Sequence, residues 1–241
     1  MVADRAPTAL SAGHRLVQRI LEVAPGGRVF TTQDAVAAGE ELGFSRGHTD
    51  KLLSELVDRG LLERPRGRLY VMQPPYGGLM PVRPVAIAVR AVTPAAVSGD
   101  TALAHWDFLS QAPLHEEVVS TPARIQWRRG VHADGPDRLW EIGGSTVRFR
   151  RIPQGQMFGI TAVRLDSETV VPMFDRERSL LELLSRPEPA SAQWAGELIR
   201  DHLHQLDRSR LREYASRLSV SKQLARIIHG RPTHGRAKNA S

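Results

Sequence analysis

The order of capping, apolar and turn signals in residues 28–72 constrains the fold more than any other feature of this sequence. Val29-Phe30 is typical of a short strand. Thr31 and Asp34 have the spacing of a reciprocal N-cap pair, which predicts a helix that begins here and ends at Gly43. The segment therefore opens as a strand followed by a capped helix.

A second helix is predicted directly after that glycine. Ser45 is a favoured N-cap residue, and the helical pattern continues to about residues 59–60. One face of this helix is apolar and is expected to face a core: Leu52, Leu53, Leu56 and Val57. The opposite face is small or polar: Gly47, Lys51, Ser54 and Asp58. We interpret this helix as a candidate recognition helix.

Two short apolar-leaning strands follow the second helix. Residues 61–64 and 68–71 flank the turn Pro65-Arg66-Gly67, a pattern that predicts a β-hairpin. With a first helix at residues 8–24, ended by Pro25-Gly26-Gly27, the order is that of a winged helix-turn-helix. Such a module places one helix in a DNA groove, so the sequence predicts DNA binding with the hairpin as the wing.

The candidate DNA contacts lie at the start of the second helix and on the hairpin. Helix-turn-helix proteins contact base edges through the N-terminal part of the recognition helix. Cationic side chains bind phosphates and base edges, and a helix N-terminus can bind a phosphate through its N–H groups. The candidates are Ser45, Arg46, His48, Thr49, Lys51, Arg64, Arg66 and Arg68.

Composition excludes several kinds of protein. The sequence contains no cysteine, so disulfides and thiolate metal sites are excluded. No run approaches the roughly 18 apolar residues of a membrane span. Asp4, Arg5 and Pro7 stand where a signal peptide needs an apolar core. We therefore predict a cytoplasmic protein with no membrane partner.

The net charge of +7 arises at the C-terminal end of the chain. Residues 208–241 carry nine basic residues against Glu213 alone. A basic segment of this kind is typical of sequence-independent contact with phosphates or of contact with an acidic partner surface. A solvated helix face followed by a disordered end is the alternative interpretation.

The pattern divides the chain into four segments and predicts an α+β fold. They are a winged helix-turn-helix at 8–74, a proline- and glycine-rich linker at 75–84, a mixed α/β domain with a helical C-terminus at 85–229, and a basic, disordered tail at 230–241. The elements predicted in the mixed domain are an apolar run at 85–92, a helix at about 95–109, strands at 117–121, 139–142, 146–149, 158–165 and 169–174, a helix capped by Asp175, and helices at about 192–206 and 208–229.

Nothing in the sequence indicates an enzyme. No lysine lies between residues 52 and 221, so a nuclease core of the Asp…Glu-x-Lys type lacks its lysine. His202 and His204 would point about 200° apart on a helix, which is the wrong geometry for a shared metal ion. A Walker A loop is also absent. We therefore predict no catalytic residue, no cofactor and no metal ligand.

Three further patterns stand in a fixed order along the sequence: LVDRGLLER at 56–64 with RGRLY at 66–70, VSGDTALAH at 97–105, and FDRERSLLELL at 174–184. These segments resemble the AbiEi-type antitoxins, which are bacterial transcriptional regulators, and their winged-helix relatives. Their order along most of residues 14–225 carries the resemblance. It implies a monomer whose winged helix represses its own operon at inverted repeats, and whose larger domain counteracts a nucleotidyltransferase-like toxin encoded nearby.

Three other functions also fit the sequence. In the first, the mixed domain senses a small molecule and the chain is a ligand-responsive regulator without a toxin partner. In the second, the winged helix and the basic tail bind structured RNA, although an aromatic content of 5% offers few side chains to stack on bases. In the third, the winged helix is a protein-binding module.

Overall fold

A computed structural model describes residues 11–74, 76, 81–109, 116–125, 131–134, 137–142 and 144–229. These residues form a mixed α+β fold, as the sequence predicts. The predicted tail at 230–241, the first residues of the predicted first helix, and half of the predicted linker lie outside the described residues.

The N-terminal unit combines helices with a three-stranded antiparallel sheet. Its elements are α1 (Ala12–Val23), β1 (Val29–Thr31), α2 (Thr32–Glu41), α3 (Arg46–Asp58), β2 (Leu62–Arg66) and β3 (Leu69–Met72). The strands lie in the order β1-β3-β2. The first strand, the capped helices and a hairpin therefore occur where the sequence predicts them. The turn of the hairpin, however, is at Gly67-Arg68 and not at Pro65-Arg66-Gly67, because β2 continues to Arg66, which pairs with Leu69.

Polar caps determine where α2 and α3 begin. The predicted pair at α2 is reciprocal, because Thr31 N donates to Asp34 Oδ2 at 2.7 Å and Asp34 N donates to Thr31 Oγ1 at 3.2 Å. At α3, His48 N donates to Ser45 Oγ at 3.3 Å. Each bond satisfies an N–H group that the first turn of a helix leaves unpaired.

The three-stranded sheet has a core on each of its two faces. Successive strand residues point to opposite faces of a sheet. One set packs against α1, α2 and α3: Phe30, Leu62, Tyr70 and Met72. The other set packs against a helix of the second unit, α4 (Pro84–Ala91): Val29, Leu69 and Val71. The N-terminal unit is therefore joined to the rest of the chain by a shared core.

Helix α4 has no polar face along most of its length. The five consecutive residues from Val85 to Val89 are all buried. A helix that is apolar all round must be covered on every side. Val82, at the end of the predicted linker, is buried in the same core. The chain thus enters the second unit directly through a buried helix.

The second unit is built on a seven-stranded mixed sheet. Its strands are β4 (Ala96–Val97), β5 (Glu116–Thr121), β6 (Val131–Asp134), β7 (Asp137–Ile142), β8 (Ser145–Arg151), β9 (Ile160–Asp166) and β10 (Thr169–Phe174). They lie in the order β6-β7-β8-β5-β4-β10-β9, with parallel pairing between β5 and β8 and between β4 and β10. One face of this sheet covers α4.

The remaining helices form a second layer with its own core. They are α5 (Gly99–His105), α6 (Arg176–Leu184), α7 (Pro189–His202), α8 (Arg208–Arg217) and α9 (Ser221–His229). Helix α6 is central to this layer and packs against α5, α7 and α8. The core between these helices includes Leu103, Leu180, Leu183, Leu184, Ile199, Leu211 and Leu224.

Two predicted helices are wrong in extent. The helix predicted at 95–109 is instead β4 followed by the shorter α5, because β4 pairs with β5 and Gly99 has a φ of +55°. The helix predicted at 208–229 is instead α8 and α9. Ser219 has a φ of +60°, and Val220 N donates to Ala215 O at 2.8 Å. A residue in the left-handed region is a common way to end a helix.

Charged and backbone contacts join the two units beside their shared core. Arg28 N donates to Glu168 O at 3.3 Å, and Arg28 Nη1 lies 3.7 Å from Asp166 Oδ2. Arg90 Nη2 of α4 lies 2.5 Å from Oδ2 of Asp34, the residue that completes the α2 cap. The second unit therefore helps to hold the start of α2.

Gly27 is expected to tolerate no side chain, because it has a φ of +58° and a Cβ there would overlap Glu168 O. Gly43 is a matched control, since its φ is +77° and no atom lies within 4 Å of a Cβ built there. Gly27→Ala should lower the free energy of unfolding by about 3 kcal/mol or more, and Gly43→Ala by about 1 kcal/mol. Urea denaturation measures both. Equal losses would contradict the close contact between the units.

Candidate nucleic-acid interface

The first turns of α3 present exposed polar side chains. Arg46, His48 and Lys51 are all exposed. The hydroxyl of Ser45 caps the helix, and the ring of His48 contacts Phe44 edge-on with ring centroids 5.0 Å apart. This end of α3 is accessible to a large ligand such as a nucleic acid.

Thr49, one of the predicted DNA contacts, is buried. Its side chain is 0% exposed and packs against Gly39 of α2, where an added Cβ would overlap Thr49 Oγ1. The spacing from Thr49 to Leu52, Leu53 and Leu56 places all four side chains on one face of α3, and all four are buried. The Oγ1 atom has no hydrogen-bond partner among the described residues. Thr49 therefore packs α3 against α2.

The three arginines of the hairpin lie in different environments. Arg64 Nε donates to Gly67 O, and its guanidinium carbon lies 5.6 Å from the centroid of the Tyr70 ring, so this side chain stabilises the turn. Arg66 is half-buried, and burial lowers the pKa of its guanidinium. Arg68 is exposed. Arg64 is also exposed, but its guanidinium is held against the turn, whereas Arg68 lines a cavity.

Arg46 of α3 and Arg68 of the hairpin line the same cavity, which has a volume of about 450 Å³. The other residues around it come from β1 and the start of α2: Thr31, Thr32, Gln33 and Val36. The N-terminal end of a helix carries a partial positive charge. The cavity therefore combines two guanidinium groups with a helix end that favours an anion.

Sequence reasoning did not identify Thr32 and Gln33 as part of this surface. Both directly follow the predicted N-cap residue Thr31, so their position at the start of α2 was readable from the sequence. Their proximity to the hairpin was not, because it depends on a long-range bond in which Thr32 N donates to Arg68 O at 2.8 Å. That bond fixes the hairpin beside the start of α2.

Acidic residues limit which part of α3 can approach a polyanion. Glu55 and Asp58 are exposed on the later turns of the helix. Lys51 Nζ lies 3.9 Å from Glu55 Oε1, although this exposed pair contributes little stability. The first two turns carry Arg46 and Lys51 against the exposed Asp50, whereas the later turns carry acidic charges alone, so the positive end of α3 is its first two turns.

A second polar cluster, at the start of α6, has a structural role. Arg178 N donates to Asp175 Oδ1 at 2.8 Å, and Tyr214 Oη donates to Asp175 Oδ2 at 3.0 Å. Burial raises the pKa of Asp175. Burial and the nearby charge of Asp175 raise the pKa of Tyr214 to about 12. A phenol with this pKa is protonated at neutral pH and anchors α8 on the α6 cap.

The described ranges contain no group of three or more histidine, aspartate or glutamate side chains that could hold a metal ion. Burial and the charge of Arg83 lower the pKa of His105, so its imidazole is neutral at pH 7. Within the same ranges, no helix has the length and apolar character needed to cross a membrane.

Thr49→Val is expected to raise the free energy of unfolding by about 1 kcal/mol, because it replaces a buried hydroxyl lacking a partner with a methyl group of the same shape. Affinity for DNA should not change. The control Ser45→Ala removes the α3 cap and should lower the free energy of unfolding by about 1 kcal/mol. Denaturant titration measures both variants. A loss of DNA affinity in Thr49→Val would show that the Thr49 side chain contacts DNA.

The pKa of the Tyr214 phenol is raised to about 12 in the folded chain, from the usual value of 10.0. Because the folded state binds this proton more tightly than the unfolded state, its contribution to stability is present below pH 10 and is lost as pH rises toward 12. Ultraviolet absorbance of the native chain minus that of Tyr214→Phe measures the titration. A midpoint at the usual value would contradict the bond to Asp175.

No protein-family model matches this chain, and none of the curated proteins compared with it matches in sequence. A solved structure that is similar to it is the crystal structure of the RV2827C protein from Mycobacterium tuberculosis, with 20% sequence identity and a TM-score of 0.48. The match covers 87% of this chain and 75% of that chain. At this level of similarity, the function of this chain has to be inferred from its own residues.

Proposed function

We propose that the N-terminal unit is a winged helix-turn-helix and that the chain is a sequence-specific, DNA-binding transcriptional regulator. In this proposal, α3 is the recognition helix, the hairpin of β2 and β3 is the wing, and duplex DNA is the partner. The order of helices and strands in this unit supports it. The chain is proposed to act by binding and not as an enzyme.

One observation carries the proposal: Arg46 and Arg68 line a single cavity at the start of α2. The proposed recognition helix and the proposed wing thus contribute one guanidinium each to a common surface. A DNA backbone presents a row of phosphates, and guanidinium groups bind phosphates with paired hydrogen bonds.

The distribution of charge favours one direction of approach. The first two turns of α3 would enter the major groove, where Arg46, His48 and Lys51 could reach base edges. The later turns, with Glu55 and Asp58, would point away from the phosphates. The wing would then contact the backbone or the minor groove through Arg66 and Arg68.

We further propose that the regulator belongs to the AbiEi-type antitoxins, on the resemblance of three sequence segments to that family. The operator would be an inverted repeat upstream of its own gene. The functional partner would be a nucleotidyltransferase-like toxin encoded nearby. Expression of that neighbouring gene with and without this chain tests the antitoxin role: relief of toxicity supports it, and toxicity that persists contradicts it.

The DNA-binding proposal predicts two different kinds of loss. Arg46→Ala or Lys51→Ala should cost about 1–3 kcal/mol of binding free energy, mainly on the specific site. Arg66→Ala should weaken binding to all sequences. It should also reduce the slope of log affinity against log salt concentration by about one, as expected for the loss of a phosphate contact. Fluorescence anisotropy with the upstream DNA and with a shuffled duplex measures both effects.

Arg200→Ala is the matched control for these variants, because Arg200 is an exposed arginine on α7, outside the basic C-terminal segment. It removes the same charge and should leave DNA affinity unchanged. An equal loss of affinity for specific and shuffled DNA in Arg46→Ala, Lys51→Ala and Arg66→Ala would refute α3 as the recognition helix. An equal loss in Arg200→Ala would attribute the effect to net charge.

A further inference from the structure

A second arginine-lined cavity lies in the second unit, away from the proposed DNA-binding surface. Its volume is about 440 Å³. It is formed between the end of β8, the segment that follows it, the end of α6 and the turn into α7. Four of the residues around it are arginines from three separate parts of the chain: Arg150, Arg151, Arg178 and Arg186.

Arg178 is the most unusual of these residues, because its side chain is only 1% exposed. Its guanidinium carbon lies 4.3 Å from the ring centroid of Phe174 and 5.2 Å from that of Phe158. Nη2 donates to Gln156 O at 3.5 Å, whereas Nε and Nη1 have no hydrogen-bond partner among the described residues. An arginine keeps its charge in proteins, so a cation is fixed in the wall of the cavity.

A buried cation without full hydrogen bonding is costly. The rings of Phe158 and Phe174 compensate part of this cost through cation–π attraction, and the carboxylates of Glu182 and Asp175 attract the charge from nearby. In this poorly solvated wall, the field of Arg178 acts on the cavity with less screening than a surface charge would. An anion in the cavity would therefore be stabilised.

Arg186 adds a second incompletely bonded guanidinium to the cavity. Its Nε atom is buried and has no hydrogen-bond partner among the described residues, and Nη2 lies 3.7 Å from Asp100 Oδ1. Arg151 is exposed at the same cavity. These two arginines can donate to a ligand without breaking a close ion pair.

Two of the three carboxylates around the cavity are paired with arginines. Glu182 Oε1 accepts from Arg150 Nη1 at 2.6 Å, and its Oε2 accepts from Gly99 N at 3.3 Å. Asp137 Oδ2 lies 3.4 Å from Arg148 Nη1. Glu188 is exposed at the start of α7. Four arginines against three carboxylates leave the lining with a net positive charge.

We propose that this cavity binds a small anionic molecule, whose phosphate or carboxylate oxygens accept hydrogen bonds from Arg186 and Arg151 in the field of buried Arg178. Guanidinium groups are the side chains best suited to such oxygens, since they offer several donors in a fixed plane. The volume of about 440 Å³ is in the range of sites for small molecules. This proposal does not depend on DNA binding by the N-terminal unit.

Isothermal titration calorimetry of the full chain tests the site with three ligands: orthophosphate, adenosine monophosphate and citrate, each at ionic strength matched with sodium chloride. We expect saturable binding of at least one of them at a single site. Arg186→Gln and Arg151→Gln should each weaken that binding by about tenfold. The ligand that binds most tightly shows whether phosphate or carboxylate oxygens are preferred.

Arg200→Gln is the matched control, because it removes the same charge from an exposed position on α7 that does not line this cavity. It should leave binding unchanged. Failure of all three ligands to give saturable binding would overturn the proposal. A loss confined to Arg46→Gln would also overturn it, because the anion would then occupy the proposed DNA-binding surface. Arg151 is exposed, so its variant remains informative if Arg186→Gln does not fold.

Discussion

The burial of α4 on all sides is the constraint on which the rest of this structure depends. Its consecutive apolar residues, Val85 to Val89, leave no face for water, so the helix must lie between two sheets. The three-stranded sheet can cover it because Val29 and Val71 point away from the helices of their own unit. The N-terminal unit thereby packs against the second unit, and this shared core fixes the orientation of α3 and the hairpin relative to the second unit.

Local signals made the N-terminal unit predictable from the sequence, whereas long-range packing did not. The Thr31–Asp34 and Ser45 caps act over one helical turn, so their residue types and spacing identify them. Thr49 is buried because α2 approaches α3 closely, and the hydrophobic pattern of the sequence does not mark a polar threonine as a core residue. The short apolar run that forms α4 is ambiguous because periodicity cannot separate a buried helix from a buried strand over so few residues.

Arginine serves three purposes in this chain, and only the surroundings of each side chain distinguish them. Arg46 and Arg68 are exposed beside a helix N-terminus, which suits contact with a polyanion. Arg90 pairs with a carboxylate and joins the two units. Arg178 is buried between aromatic rings in the wall of a cavity. A count of basic residues treats these positions alike, and no sequence motif links the cavity arginines, since the fold assembles them from separate elements.

The most direct test of the account is whether the chain distinguishes its own upstream DNA from a shuffled duplex of the same length and composition. Fluorescence anisotropy at low and at near-physiological salt measures this. If α3 reads base edges, the upstream duplex binds more tightly, and the preference persists as salt rises because base contacts release few counterions. Equal binding to both duplexes that salt abolishes would contradict the account and would attribute the signal to nonspecific charge.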